Sequence, residues 1–243
     1  MEVSPGQAPP YAQGPPRPVG PGRYAGARMC GRFTLTERDL VRLARALGAV
    51  VDPALAAAWR PRFNVAPGQE ALLVRDAGGL RLERARFGLA VGSGPLRINA
   101  RVETAAELRA FRAAWATRRC AVPADGFYEW AGARRDRRPV WFHDPGRRPL
   151  LFAALFGEGE DGGLAFSILT TAATGPVAAL HDRMPVLLSG PGLGAWLAGG
   201  DPPGPAPEDA LAATPASPRV NAVANDDPEC LSPPEPPRQL KLV

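Results

Sequence analysis

Arg119-Cys-Ala-Val-Pro-Ala-Asp-Gly-Phe-Tyr-Glu-Trp130 decides the fold class. Its two apolar runs, Cys120–Pro123 and Phe127–Trp130, are too short for helices and are split by the turn-forming Ala-Asp-Gly, so they read as consecutive strands. The pattern continues towards the C-terminus with Val140–His143, Leu150–Leu155 and Leu164–Thr171, separated by Gly-rich or Arg-rich turns. A further strand is expected at Val186–Leu188, then a short helix around Trp196. In the other direction, Ala71–Arg75 and Leu80–Phe87 flank Asp76-Ala-Gly-Gly, a hairpin composition. Two amphipathic helices complete the reading. One follows Thr36-Glu-Arg-Asp39, a capping-box sequence, with Leu40, Leu43, Ala44 and Leu47 at helical spacing and Gly48 as its stop. The other follows Thr104-Ala-Ala-Glu107, with Leu108, Phe111 and Trp115. A strand-rich core with a few short helices is α+β.

The chain has 243 residues, 45% of them hydrophobic, which suits one globular domain. Residues 1–28 contain seven prolines and five glycines and almost nothing to bury, so they are expected to be a disordered extension. The domain is expected over 29–226, with a Pro/Gly/Ala-rich stretch at 199–218 and a mobile tail from Asp227 to Val243. No apolar run is long enough for a membrane span, and the N-terminus lacks the apolar segment of a secretory signal, so the expected location is the cytoplasm. Cys30, Cys120 and Cys230 are too widely spaced for a disulfide framework or a Cys-x-x-Cys zinc site, so no metal and no other cofactor is expected.

The formal net charge is +5, compatible with nucleic acid but also with an ordinary solvated surface. Of the 29 basic residues 28 are arginine; Lys241 is the one lysine, a bias that a GC-rich coding sequence also explains. It has a chemical consequence. An imine with an aldehyde can form only on Lys241 or on an α-amine, because a guanidinium stays protonated.

Met29-Cys30-Gly-Arg-Phe-Thr-Leu supplies such an α-amine if Cys30 is the first residue of the chain. An N-terminal cysteine captures an aldehyde twice: the amine forms an imine, and the adjacent thiol closes a five-membered thiazolidine on the imine carbon. An α-amine with pKa near ~8 is far more often unprotonated at neutral pH than a lysine near ~10.4. An isolated internal cysteine is ordinarily only a small buried apolar group, so the weight falls on the segments around it.

Those segments are Pro61-Arg-Phe-Asn-Val-Ala-Pro67, Ile98-Asn-Ala-Arg-Val-Glu-Thr104, the Arg119–Trp130 stretch and His181-Asp-Arg-Met-Pro185. With the Cys30 segment, and in this order, they closely resemble the SRAP family, the SOS-response-associated peptidases. The resemblance implies a barrel-like mixed β-sheet core with short flanking helices, a monomer, and a positive face for single-stranded DNA. The implied activity is a thiazolidine crosslink between Cys30 and the ring-opened aldehyde of an abasic site, protecting the lesion. Carried over by motif, Cys30 is the nucleophile, Asn99 holds it and the opened sugar, and Glu129 moves protons at the sugar oxygen. His181 is a second acid or base, and Thr170 adds a hydroxyl. Arg32, Arg101 and Arg183 are expected on phosphates, and Asn64 and Pro67 at the pocket wall beside the DNA. His143 lies in no motif and reads as structural or surface, and Arg134, Arg135, Arg137 and Arg138 read as a charged hairpin tip.

The sequence departs from the family at Phe87-Gly88, where the usual residues are Trp-Gly, and in the short Leu-Ala-Val-Gly-Ser-Gly-Pro loop that follows. The residues before Met29 keep the Cys30 amine in a peptide bond unless translation starts at Met29 or the extension is cleaved. Self-processing and a lyase reaction accompany the implied activity. A cysteine peptidase using Cys30 and His181, and a non-covalent single-stranded DNA binding module, are the alternatives.

Overall fold

The computed structural model describes residues 31–91, 94–133, 136–159 and 161–234. The expected extension, Cys30, Arg134, Arg135 and the residues from 235 on, with Lys241, lie outside the described residues.

The first strand, β1 (Phe33–Leu35), leads into α1 (Leu40–Ala46). The cap is Asp39, three residues later than the expected Thr36: Asp39 Oδ1 accepts from Arg42 N at 2.9 Å. The amide of Thr36 is instead bound by the Asp125 carboxylate from the strand side. Leu40, Leu43 and Ala44 are buried as their spacing requires, and Gly48, at φ +65°, turns the chain out of the helix. β2 (Val50–Val51) and α2 (Pro53–Ala58) follow, the latter capped by Asp52 with proline in its first turn. After β3 (Arg62–Val65), β4 (Glu70–Asp76) and β5 (Leu80–Phe87) form the expected hairpin. Asp76 Oδ1 accepts from the amides of Gly78 and Gly79 at 3.0 and 2.9 Å, fixing the turn.

β6 (Asn99–Arg101) runs directly into α3 (Val102–Ala105), and α4 (Arg112–Thr117) comes seven positions later. The single helix expected from Thr104 is therefore two short ones. Neither has a side-chain cap, and Leu108, between them, is 46% exposed, which interrupts the apolar stripe. The next five strands fall where the apolar runs place them: β7 (Arg119–Ala124), β8 (Gly126–Ala131), β9 (Arg138–His143), β10 (Leu150–Glu158) and β11 (Leu164–Ala172). The short α5 (Gly175–Ala178) precedes β12 (Arg183–Pro185) and β13 (Leu187–Leu188). One strand was expected here. The segment instead crosses from β11 to β10 at Val186, whose amide donates to Leu169 O and whose carbonyl accepts from Ala153 N, both at 2.9 Å. α6 (Gly190–Leu197) buries Trp196 as expected, and β14 (Ala212–Pro215) lies in the Pro/Gly/Ala-rich stretch read as loop.

The fold is α+β. In the larger sheet β11, β10, β7, β4 and β5 are neighbours in that order, and parallel pairing of β11 with β5 closes the ring into a barrel. Alternation sorts its side chains. Phe166 and Ile168 of β11, Phe152 and Ala154 of β10, Cys120 and Val122 of β7, and Ala85 and Phe87 of β5 fill one core. Their neighbours Ala165, Leu169, Ala153 and Leu155 pack outward under α4 and α6. The smaller sheet, β14-β9-β8-β1-β3, contributes Phe33, Phe127 and Phe142 to the barrel core. Phe87 is fully buried and stacks on Phe166 at 5.3 Å, with Phe33 edge-on at 5.4 Å. The residue that replaces the family's tryptophan is therefore core.

The described part of the expected tail is docked. Two 3-10 turns, Pro218–Asn221 and Pro228–Leu231, bring the fully buried Cys230 against Tyr128, Trp141 and Val220. Arg219 and Asp227 pair at 2.6 Å to close this segment on itself. Composition misled here, because one cysteine and a set of backbone carbonyls hold a stretch that has few apolar side chains.

Candidate active site

Parallel pairing of β6 with β11 sets Asn99 beside Ile168 and Arg101 beside Thr170. Register partners share a face, and Ile168 belongs to the barrel core, so Asn99, Thr170 and Arg101 lie along the inward-facing side, running from interior to rim. Thr170 is fully buried, its hydroxyl 3.4 Å from Ala100 O, while Arg101 is exposed. Glu129 comes from the other sheet. It follows Phe127 by two positions on β8, hence shares that residue's inward face, and is only 6% exposed.

β1 pairs antiparallel with β8 through Phe33 opposite Phe127 and Thr34 opposite Gly126. The Tyr128 amide donates to Arg32 O at 3.0 Å, extending the pairing outward. The same count run one step further brings Gly31 level with Glu129. The residue attached to Gly31 is Cys30.

His181 follows α5, which its amide caps by donating to Val177 O at 2.9 Å. Its Nδ1 accepts from Arg183 N at 3.1 Å, which requires that nitrogen to be unprotonated. Asp182 Oδ1, 2.9 Å from the same nitrogen, favours a proton there, but burial and the Arg183 charge oppose it. Burial wins, and the imidazole pKa lies below its usual 6.5. At neutral pH the ring is uncharged.

Arg183 is not available at the surface. Its side chain is buried, one Nη donating to Thr170 O at 2.6 Å while both Nη groups engage the Glu103 carboxylate. This pairing holds Glu103 below the ordinary carboxylate range. The expectation of a phosphate contact at Arg183 gives way to a brace between β11, β12 and α3, and Glu103, in the same motif as Asn99, is the partner that sequence reading passed over. Asn64 is likewise fully buried, with its Oδ1 accepting from Arg32 Nη1 at 2.8 Å and its amide donating to Asn225 O at 2.7 Å. It builds the wall and offers no surface to DNA, whereas Pro67 is exposed. Arg32 is half-buried, and burial lowers its pKa; among the described residues no acceptor meets its Nε or Nη2. His143 is buried and bonded through both ring nitrogens, to Asp144 O at 2.8 Å and Thr214 Oγ1 at 2.9 Å. It is structural. The described residues contain no group of three or more side chains suited to holding a metal ion, and none of their helices is long and apolar enough to cross a membrane.

This α+β barrel has counterparts among solved structures. A protein of Bacteroides thetaiotaomicron, 17% identical, matches with a TM-score of 0.70 over 84% of this chain and 99% of its own, a likeness of fold. A phage-related protein of Bordetella bronchiseptica, 29% identical, matches with a TM-score of 0.60 over 76% of this chain and 93% of its own. The family model described as SOS response associated peptidase (SRAP) matches residues 29–223, and the chain belongs to that family. Among curated relatives, the abasic site processing protein YedK of Escherichia coli (strain K12) is 33% identical over 180 residues, 70% of this chain and 79% of the relative. The abasic site processing protein YobE of Bacillus subtilis (strain 168) is 32% identical over 184 residues, 70% and 82% respectively. The chicken (Gallus gallus) abasic site processing protein HMCES is 32% identical over 146 residues, 48% of this chain and 44% of its own.

Proposed function

We propose that this protein processes abasic sites in single-stranded DNA by forming a thiazolidine crosslink through an N-terminal Cys30. The observation that carries the reading is the register of β1 on β8, which, counted on from Arg32 and Tyr128, sets Gly31, the residue after Cys30 in sequence, at the level of the buried Glu129. The kinship with proteins named for abasic site processing supplies the substrate class.

Abasic deoxyribose is mostly a closed hemiacetal, and opening it needs a proton removed from the C1′ hydroxyl and one delivered to the ring oxygen. Glu129, in a carboxylate setting shielded from water, performs that exchange. The Cys30 amine then attacks the C1′ aldehyde and water leaves, giving an imine. The thiol sulfur adds to the imine carbon, its proton passing to nitrogen, so the net change is aldehyde plus cysteine to thiazolidine plus one water. Asn99 supplies amide hydrogen bonds to the opened sugar, the Thr170 hydroxyl a further one, and neutral His181 takes and returns protons at imine formation. Arg101 and the open edge of Arg32 are the phosphate contacts of choice, since both reach solvent.

The test uses protein beginning at Cys30 with an abasic single-stranded oligonucleotide on a denaturing gel. A band of protein attached to DNA is expected without reductant, while Cys30→Ser gives a band only after borohydride trapping. An extra residue before Cys30 abolishes the reductant-free band and leaves at most an imine on its own α-amine. Equal crosslinking by Cys30→Ala overturns the reading, and cleavage of peptides without any DNA adduct favours the peptidase alternative.

A further inference from the structure

The reaction proposed above needs the lead into β1 and Glu129 held at a fixed spacing, and a side chain beside each reaches the same distant segment. Arg32, two residues after Cys30, donates from Nη1 to Val220 O at 2.8 Å. Trp130, next to Glu129, donates from Nε1 to Asn221 Oδ1 at 2.6 Å. Val220 and Asn221 are consecutive residues of the 3-10 turn Pro218–Asn221. The Arg32 guanidinium also lies 5.8 Å from the Trp130 ring centroid, so the two tethers touch each other.

The segment is itself anchored on the strand beyond β1. The Asp226 carboxylate accepts from the amides of Phe63 and Asn64 at 2.5 and 2.9 Å and pairs with Arg62. Asn64 returns its side-chain amide to Val220 O, Ala222 O and Asn225 O at 3.1, 3.2 and 2.7 Å. β3, which carries these groups, pairs with β1 on the side away from β8.

We infer that residues 217–231 form a strap whose Asn221 and Asp226, with Asn64, are positioning residues that set the spacing between the Gly31-Arg32 lead into β1 and Glu129. The inference rests on the crosslinking function proposed above. None of these groups needs to touch substrate. Their effect passes through Arg32 and Trp130, and misplacement by an ångström at a reacting pair costs up to about a hundredfold in rate.

The experiment compares chains beginning at Cys30, wild type against Asn221→Ala, Asp226→Ala and Asp226→Asn. It measures single-turnover crosslinking to an abasic oligonucleotide at rising DNA concentration, and amide hydrogen exchange over β1 and β8. Asp226→Ala is expected to lower the saturating rate about ten- to a hundredfold, with the half-saturating DNA concentration within about twofold of wild type. Asp226→Asn, which keeps an acceptor for the β3 amides, recovers most of the rate. Asn221 is exposed, so Asn221→Ala is the variant that keeps the fold if Asp226→Ala does not. It is expected to show a smaller rate loss of the same kind and faster exchange in β1. Unchanged saturating rates, or losses confined to the half-saturating concentration, overturn the strap. If wild type forms no adduct, the crosslinking function fails, and unchanged exchange in β1 for Asn221→Ala then refutes the strap on its own.

Discussion

A proton on His181 is opposed by its burial and by Arg183, and the linkage has a definite sign. A histidine whose pKa is lower folded than unfolded binds fewer protons in the native state, so stability rises with pH. The contribution is full above the unfolded value of about 6.5 and is lost as pH falls below it towards the lowered folded value. Wild type is therefore expected to lose thermal stability between neutrality and mildly acidic pH more steeply than His181→Gln, measured as Tm against pH by differential scanning fluorimetry. The same shift keeps the ring available as a base at neutral pH, so the variant's crosslinking defect is expected to narrow on acidification. Parallel Tm curves for the two proteins would contradict the assignment. Legibility at this scale divides by environment. His181, Glu129 and Asn99 stood out by motif, but the carboxylate that pairs with Arg183 lies 80 positions away and the carbonyls that take the Asn64 amide lie 156 or more away, which no local pattern reports.

Gly126 opens β8 opposite His143, and the space for its hydrogen is the only room available. A Cβ there would lie 2.3 Å from Phe142 O and 2.5 Å from Trp141 Nε1, both inside contact distance. Gly126→Ala is expected to cost about 1–3 kcal/mol or more, since the strand pair must part to admit it. Gly194, inside α6, meets nothing within 4 Å, and Gly194→Ala is expected to stabilise by about 0.4–1 kcal/mol. Urea unfolding of both variants checks the contrast. The five strands from β7 to β11 were legible because each is a continuous apolar run between turn residues, the mark of a strand buried on both faces. The strands missed were β1, β2, β3, β6, β12 and β14, none longer than four residues. Such short strands owe their form to ladder partners far away in sequence rather than to their own side chains.

Over the whole molecule, the net charge of +5 is spread mainly as arginine, and only arginines with a free edge at the surface can displace counterions from DNA. Arg101→Ala is expected to reduce the salt dependence of binding to intact single strands by about one ion, read as the slope of log Kd against log salt. Arg183→Ala should leave that slope unchanged and lower Tm instead, because it strands Thr170 O and frees Glu103. Fluorescence anisotropy at several salt concentrations, with thermal melts alongside, separates the two. The overall class was visible in the strand count and the barrel in the family resemblance, but the pairing of β5 with β11 that closes it spans about eighty residues of intervening chain and shows in no local pattern. Among the described residues the longest reach is that from Arg32 to the carbonyl of Val220, a separation of 188 residues. A ribosome making about 5–20 residues per second finishes those 188 residues on the order of ten seconds or more after Arg32 is made. During translation the front of the chain therefore waits for the back, and Arg32 gains this partner only after Val220 has been made.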